Sequence, residues 1–170
     1  MSKTSRDELI QDFVAAIRAS QTATEMLDSA VANYLGISPT DYRAIDILDQ
    51  EGPMTAGQLA ARARLSPGAI TSLVDRLESK GLARRTRDTV DRRRVLIEVT
   101  PELRKHAIEL YGTPQDAASG LAHYTDEQLE LLTGFLRGSV EFQEERLRRL
   151  EEIKGRGSRG ASPGPRKGAR

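Results

Sequence analysis

Between Ser38 and Gly81 the chain has to start and stop three helices, and that crowding restricts its fold more than any other feature. Ser38 stands before Pro39 and three residues ahead of Asp41, a helix start with proline at the first helical position. Tyr42, Ile45 and Leu48 follow at helical spacing until Glu51–Gly52–Pro53 ends the run. Thr55 with Gln58 opens a short second helix, "AGQLAARA". Ser66–Pro67 opens a third, "GAITSLVDRLESK", which Gly81 closes. Only the few residues around Arg64–Leu65–Ser66 separate the last two helices. A short helix, a sharp turn and an amphipathic helix form the helix-turn-helix pattern. In the last helix Ile70, Leu73, Val74 and Leu77 share one face and are expected to meet Leu59 and Leu65 in a core. The outer face keeps Gly68, Ala69, Thr71, Ser72, Asp75, Arg76 and Ser79. Its small residues allow close backbone approach to a groove, and a helix N-terminus favours phosphate. Thr71 and Ser72 have the reach for base edges, and Arg76 suits a backbone phosphate.

The only β-like region comes next. Leu82 to Arg87 and Arg94 to Val99 read as one hairpin, with Val95, Ile97 and Val99 alternating against Arg94, Leu96 and Glu98. Between them lies "DTVDRRR", Asp88 to Arg94. A hairpin directly after the second helix of the pair, with arginines at its tip, is the order of a winged helix, whose wing can push a guanidinium into the minor groove. Arg92, Arg93 and Arg94 are the candidates, with a nearby carboxylate, most simply Asp91, pairing with an arginine and setting its direction. Charge supports the assignment once the chain is divided. The formal total is +1, but residues 55–100 carry ten basic and five acidic side chains. Residues 1–54 carry four and nine, and residues 101–153 carry six and eleven. A basic module between acidic flanks is suited to touching a polyanion with one face.

The expected fold is therefore mainly α with one small β-hairpin. A winged helix-turn-helix domain (37–100) is flanked by a long N-terminal helix (1–36) opened by Ser5 and Glu8 and by C-terminal helices (101–153) that start at Thr100–Pro101 and at Thr125 with Gln128. Both flanks read as dimerisation helices, because their apolar positions are too many for so small a core to cover. Residues 154–170 are rich in Gly, Pro, Ser and Arg and read as a disordered basic tail that adds phosphate contacts or merely solubilises. With no cysteine, disulfides, thiolate metal sites and a cysteine nucleophile are excluded. His106 and His123 have no spaced partner for a metal, and "GRGSRG" follows a helix rather than a strand, so it is no dinucleotide fingerprint. No serine has a plausible base beside it in sequence, no cofactor is implied, and an enzyme is not expected. The N-terminus carries no apolar leader and no later run suffices for a membrane span, which points to a cytoplasmic protein.

The stretches "LGISPTDYRAIDIL", "GPMTAGQLAARARLSPGAITSLVDRLESKGLARR" and "DTVDRRRVLIEVT", from about Gly36 to Thr100, resemble the MarR family of bacterial transcriptional regulators. The segment "GAITSLVDRLESKGL" running into "DxxDRR" carries most of the likeness; Thr89 departs from the proline common at its position. The resemblance implies an obligate homodimer of intertwined terminal helices, presenting two winged helices to successive major grooves of a pseudo-palindromic operator. Carried over by position, the recognition residues are Ser66, Pro67, Gly68, Ala69, Thr71, Ser72 and Arg76. Arg93 matches the wing-tip arginine, and Asp91 matches the acid that orients it; the residues alone leave Arg92 and Arg93 equivalent. Such regulators are commonly repressors released by small aromatic or phenolic acids, for which Phe13, Ile17, Tyr34, Tyr42, Ile45 and Tyr111 are candidate lining residues. The competing reading is a winged-helix protein-interaction module without specific DNA binding.

Overall fold

The computed structural model describes the backbone of residues 5–159 and the side chains of residues 5–153. In order, the elements are α1 (Arg6–Leu35), α2 (Pro39–Glu51), α3 (Ala56–Ala63), α4 (Pro67–Ser79), β1 (Ala83–Arg87), β2 (Val95–Val99), α5 (Pro101–Tyr111), α6 (Pro114–Leu121) and α7 (Asp126–Arg159). The helix starts fall where the serines and threonines predict. Ser5, Ser38, Thr55, Ser66 and Thr100 each accept the backbone N–H three residues on, and Glu8 and Gln58 reach back to complete capping boxes. Gly36 ends α1 in the left-handed region at φ 64°. In the turn between α3 and α4 that conformation falls to Arg64, at φ 57°, which bears the steric cost a glycine would avoid.

Two compact units make up the chain, the first ending at Gly112 and the second beginning at Thr113. In the first, α2, α3 and α4 close around Leu48, Leu59, Ile70, Leu73, Val74 and Leu77, and Ile97 of β2 inserts from the hairpin. Each such side chain gains about 1.5–3 kcal/mol from burial. The two strands are antiparallel, with Ala83 opposite Val99 and Arg87 opposite Val95. Ala83, Ile97 and Val99 supply the buried face, while Val95 is half exposed near the tip. Met54, between α2 and α3, exchanges both backbone hydrogen bonds with Ile97 (2.8 and 3.1 Å) and so adds a one-residue third strand that alternation could not reveal. At the hairpin's far end, buried Thr100 donates its hydroxyl to the Gly81 carbonyl (2.7 Å) while capping α5, which pins the wing's base to the end of α4.

The second unit differs from expectation in two ways. Residues 114–121 form α6, opened by Thr113, Pro114 and Asp116 in a capping box; its apolar residues are too few and too exposed to make a periodic stripe. Helix α7 also continues to Arg159, past Lys154 where the compositional change suggested an end. Extending an existing helix needs no new nucleus, which offsets Gly155 and Gly157 at about 1 kcal/mol each relative to alanine, and the first proline after it is Pro163. The expected disorder of the remaining tail, residues 160–170, lies outside the described residues. Along α7, Leu131, Leu136, Val140, Phe142, Leu150 and Ile153 are more than half exposed. Helix α1 likewise leaves Leu9, Ile10, Phe13, Val14, Met26 and Leu27 open. Among the described residues no helix is long and apolar enough to cross a membrane.

Candidate nucleic-acid interface

Helix α4 presents the expected surface. Ile70, Leu73, Val74 and Leu77 are buried, while Ser66, Pro67, Gly68, Ala69, Thr71, Ser72, Asp75, Arg76 and Ser79 are exposed. Ser66 Oγ accepts the Ala69 amide at 3.3 Å and so holds the helix start. The Thr71 and Ser72 hydroxyls donate to the carbonyls of Pro67 (3.0 Å) and Gly68 (3.3 Å). Both oxygens therefore face outward as acceptors and become donors on rotation. Gly68 has no side chain and Ala69 only a methyl group, so the exposed first turn is small.

Arg76, placed by the sequence for a backbone phosphate, is held by a partner from another helix. Its Nη2 and Nε donate to Asp41 Oδ1 (2.6 Å) and Oδ2 (3.2 Å), a two-pronged ion pair between α4 and the first turn of α2. The Asp41 side chain is only 4% exposed and that of Arg76 is 53% exposed, so the carboxylate belongs to the interior and the guanidinium spans to the surface. Burial pushes the Asp41 carboxyl up, but the Arg76 hydrogen bonds, with Ser38 and the Arg76 charge, outweigh it and hold it below the usual aspartate range. In sequence Asp41 reads only as a residue of a helix start; its long-range partner, 35 positions away, leaves no local signal.

The wing tip is built by its two aspartates. Asp88 Oδ1 accepts the amides of Val90 (2.8 Å) and Asp91 (3.4 Å), and the backbone of Asp88 and Asp91 pairs with that of Arg94. These amide contacts, the Val90 bond first, with the nearby Arg94 charge keep the Asp88 carboxyl below its ordinary range. Among the described residues no guanidinium pairs with Asp91. Its Oδ1 accepts the backbone N–H of Arg93 at 3.0 Å, because a short aspartate side chain reaches the amide two residues on more readily than a long flexible arginine head. The carboxylate that pairs with a wing arginine is Asp88, 3.6 Å from Arg94 Nη1. Arg92 and Arg93 are exposed and have no ion-pair partner among the described residues. Arg84 and Arg85, lower on β1, are occupied: Arg84 pairs with Glu98 (2.7 Å), and Arg85 with Asp75 (2.7 Å) and Glu78, bracing the hairpin against α4.

A separate cleft of about 260 Å³ lies within the first unit. Of the candidate ligand-lining residues, Tyr42, Ile45 and Tyr111 line it; Phe13, Ile17 and Tyr34 do not. Phe13 and Ile17 lie in the N-terminal half of α1. Tyr34 is turned outward with its ring edge on His106, centroids 6.1 Å apart. The hydroxyls of Tyr42 and Tyr111 meet at 2.8 Å. Burial, the Tyr111 partner and the charges of Asp28 and Asp46 raise the Tyr42 phenol, which stays protonated. The sequence reading missed Asp28, Asp46, Asp49 and His106 on these walls. The buried Nδ1 of His106 has no hydrogen-bond partner among the described residues.

With this geometry in place, the relatives are informative. The MarR family profile matches residues 37–95, from the residue after Gly36 into β2. The HTH-type transcriptional regulator YcgE of Bacillus subtilis (strain 168) is 40% identical over 152 residues, 89% of this chain and 99% of that protein. The chain belongs to the MarR family. A second relative of this MarR-family chain, the HTH-type transcriptional repressor MdtR of the same organism, is 32% identical over 100 residues, 58% of this chain and 63% of the relative. The structure of a MarR family protein from Bacillus stearothermophilus shares the fold, with a TM-score of 0.55 at 23% identity over 83% of this chain and 99% of the other. MarR-family proteins are transcriptional regulators of the DNA-binding helix-turn-helix type, and the α3–α4 pair with the β1–β2 hairpin is the winged helix-turn-helix of this chain.

Proposed function

We propose that this MarR-family protein is a dimeric, cytoplasmic repressor that reads a pseudo-palindromic operator and is released by a small aromatic ligand. The observation that carries the DNA-reading part is α4's open, small-residue face beside two exposed arginines that have no ion-pair partner among the described residues, on a wing tip hydrogen-bonded by Asp88 and Asp91. Ser66, Pro67, Gly68, Ala69, Thr71 and Ser72 enter the major groove in this reading. Arg76 contacts the backbone, and Arg92 and Arg93 enter or flank the minor groove, with Asp88, Asp91 and Arg94 shaping the tip. The exposed apolar positions of α1 and α7 support dimerisation, since a free monomer would leave both in water. The cleft at Tyr42, Ile45 and Tyr111 supports ligand control, and MdtR, named a repressor, supports the sign of regulation. Regulation by binding, rather than turnover, is the activity proposed.

The test is selection of a random-sequence duplex library on the purified protein and on its Arg93→Ala variant. A two-fold symmetric motif, weakened in the variant, is expected. Motif-free retention that the variant leaves unchanged would reject DNA reading in favour of a protein-interaction module.

A further inference from the structure

Arg76 lies in one row with Gly68 and Ser72, each four residues apart and all exposed, so it continues the face of α4 that would lie along the duplex. Asp41 brings a negative charge directly against that row, which is unfavourable beside a polyanion unless the pair does something the charge alone would oppose. The hydrogen-bond pattern shows what. A guanidinium has five N–H groups, and Asp41 takes the edge formed by Nε and Nη2. The fork formed by Nη1 and the second Nη2 hydrogen is left over, fixed in direction by a carboxylate that is itself 4% exposed and belongs to a residue whose backbone N–H the Ser38 cap accepts. That remaining fork matches two oxygens of a phosphate.

We propose that Asp41 is a positioning residue for DNA binding: it grips one edge of Arg76 so that the opposite edge meets a backbone phosphate already oriented. The proposal rests on the reading that α4 lies in the groove. It makes the first turn of α2 part of the binding machinery without contacting DNA, and it predicts an effect of opposite sign to simple electrostatics. Removing the Asp41 charge makes the surface more positive, and a mere charge effect would tighten binding.

The experiment measures affinity across a salt series for the duplex that the wild-type protein retains from the random library, with Asp41→Asn, Arg76→Lys, Arg76→Gln and the Asp41→Asn/Arg76→Gln double variant. Thermal midpoints are recorded for each. Asp41→Asn is expected to weaken binding about tenfold, the worth of one oriented charge-assisted contact. It should also flatten the plot of log affinity against log salt by about 0.9 per lost phosphate contact in each half-site. Arg76→Gln should lose at least as much, and the double variant no more than Arg76→Gln. Arg76→Lys keeps the charge but lacks a second fork, and it should lose a comparable factor even if Asp41→Asn fails to fold. If Arg76→Gln weakens binding while Asp41→Asn binds as tightly as wild type or tighter, positioning is overturned and DNA reading by α4 stands. If Arg76→Lys matches wild type, orientation is irrelevant and the proposal falls. Wild-type binding that does not vary with salt would remove the DNA reading itself, and this proposal with it.

Discussion

At the scale of single residues, the informative side chains are those whose partners lie far away in sequence. Asp41 has its carboxyl held below the usual aspartate value of about 3.9. A depressed folded pKa contributes stability that is present above the unfolded value and is lost as the pH falls through the folded one. The thermal midpoint of the wild type should therefore fall further than that of Asp41→Asn between about pH 5 and about pH 3. Parallel acid limbs for the two proteins would show that the ion pair contributes nothing to stability. On the wing, Asp88 anchors Val90, Asp91 and Arg94 together. Asp88→Ala should lower operator affinity with little change in thermal midpoint, because the tip is remote from the core; a midpoint shift as large as that of a core truncation would contradict this. The local pattern offered Arg92, Arg93 and Arg94 alike as wing charges, but not that Asp91 serves the backbone while Asp88 holds Arg94. That choice depends on turn geometry, which the order of residues alone leaves open.

At the scale of elements, helix starts were the most legible feature, since each depends on a serine or threonine and its neighbours within three positions. Thr55→Ala removes an N-cap and half of a capping box from a helix of 8 residues. The expected cost is about 1 kcal/mol, read as a shift in denaturant midpoint with unchanged slope. Helix α6 shows the limit of pattern reading: its capping box is as clear as the others, but without a buried stripe it has no periodicity to find. The Met54 bridge is invisible for a related reason, since one residue cannot alternate and its pairing with Ile97 depends on how α2 and β2 meet. Arg64, in the left-handed turn of the helix pair, is a position where Arg64→Val should destabilise by about 1 kcal/mol or more, because a β-branched residue tolerates that conformation least.

At the scale of the whole molecule, stability is concentrated in the first unit and association is expected from the exposed helices. Leu77 is fully buried, and Leu77→Ala should cost about 2–5 kcal/mol in denaturant unfolding, enough to endanger a domain of this size. Leu131 and Leu136 on α7 are 74% and 61% exposed, and the double change Leu131→Glu/Leu136→Glu should convert a dimer to a monomer in light scattering and weaken operator binding. A wild-type protein that is already monomeric at micromolar concentration would remove the dimer from the proposal. Read alone, the sequence determined the helix-turn-helix, its hairpin and the buried and exposed faces of α4, because capping and periodicity act over a few residues each; the family was legible only as a resemblance of whole motifs. Tertiary structure decided which arginines are free, which carboxylate grips Arg76 and which tyrosines line the cleft, because hydrogen bonds between elements depend on distances that only packing sets.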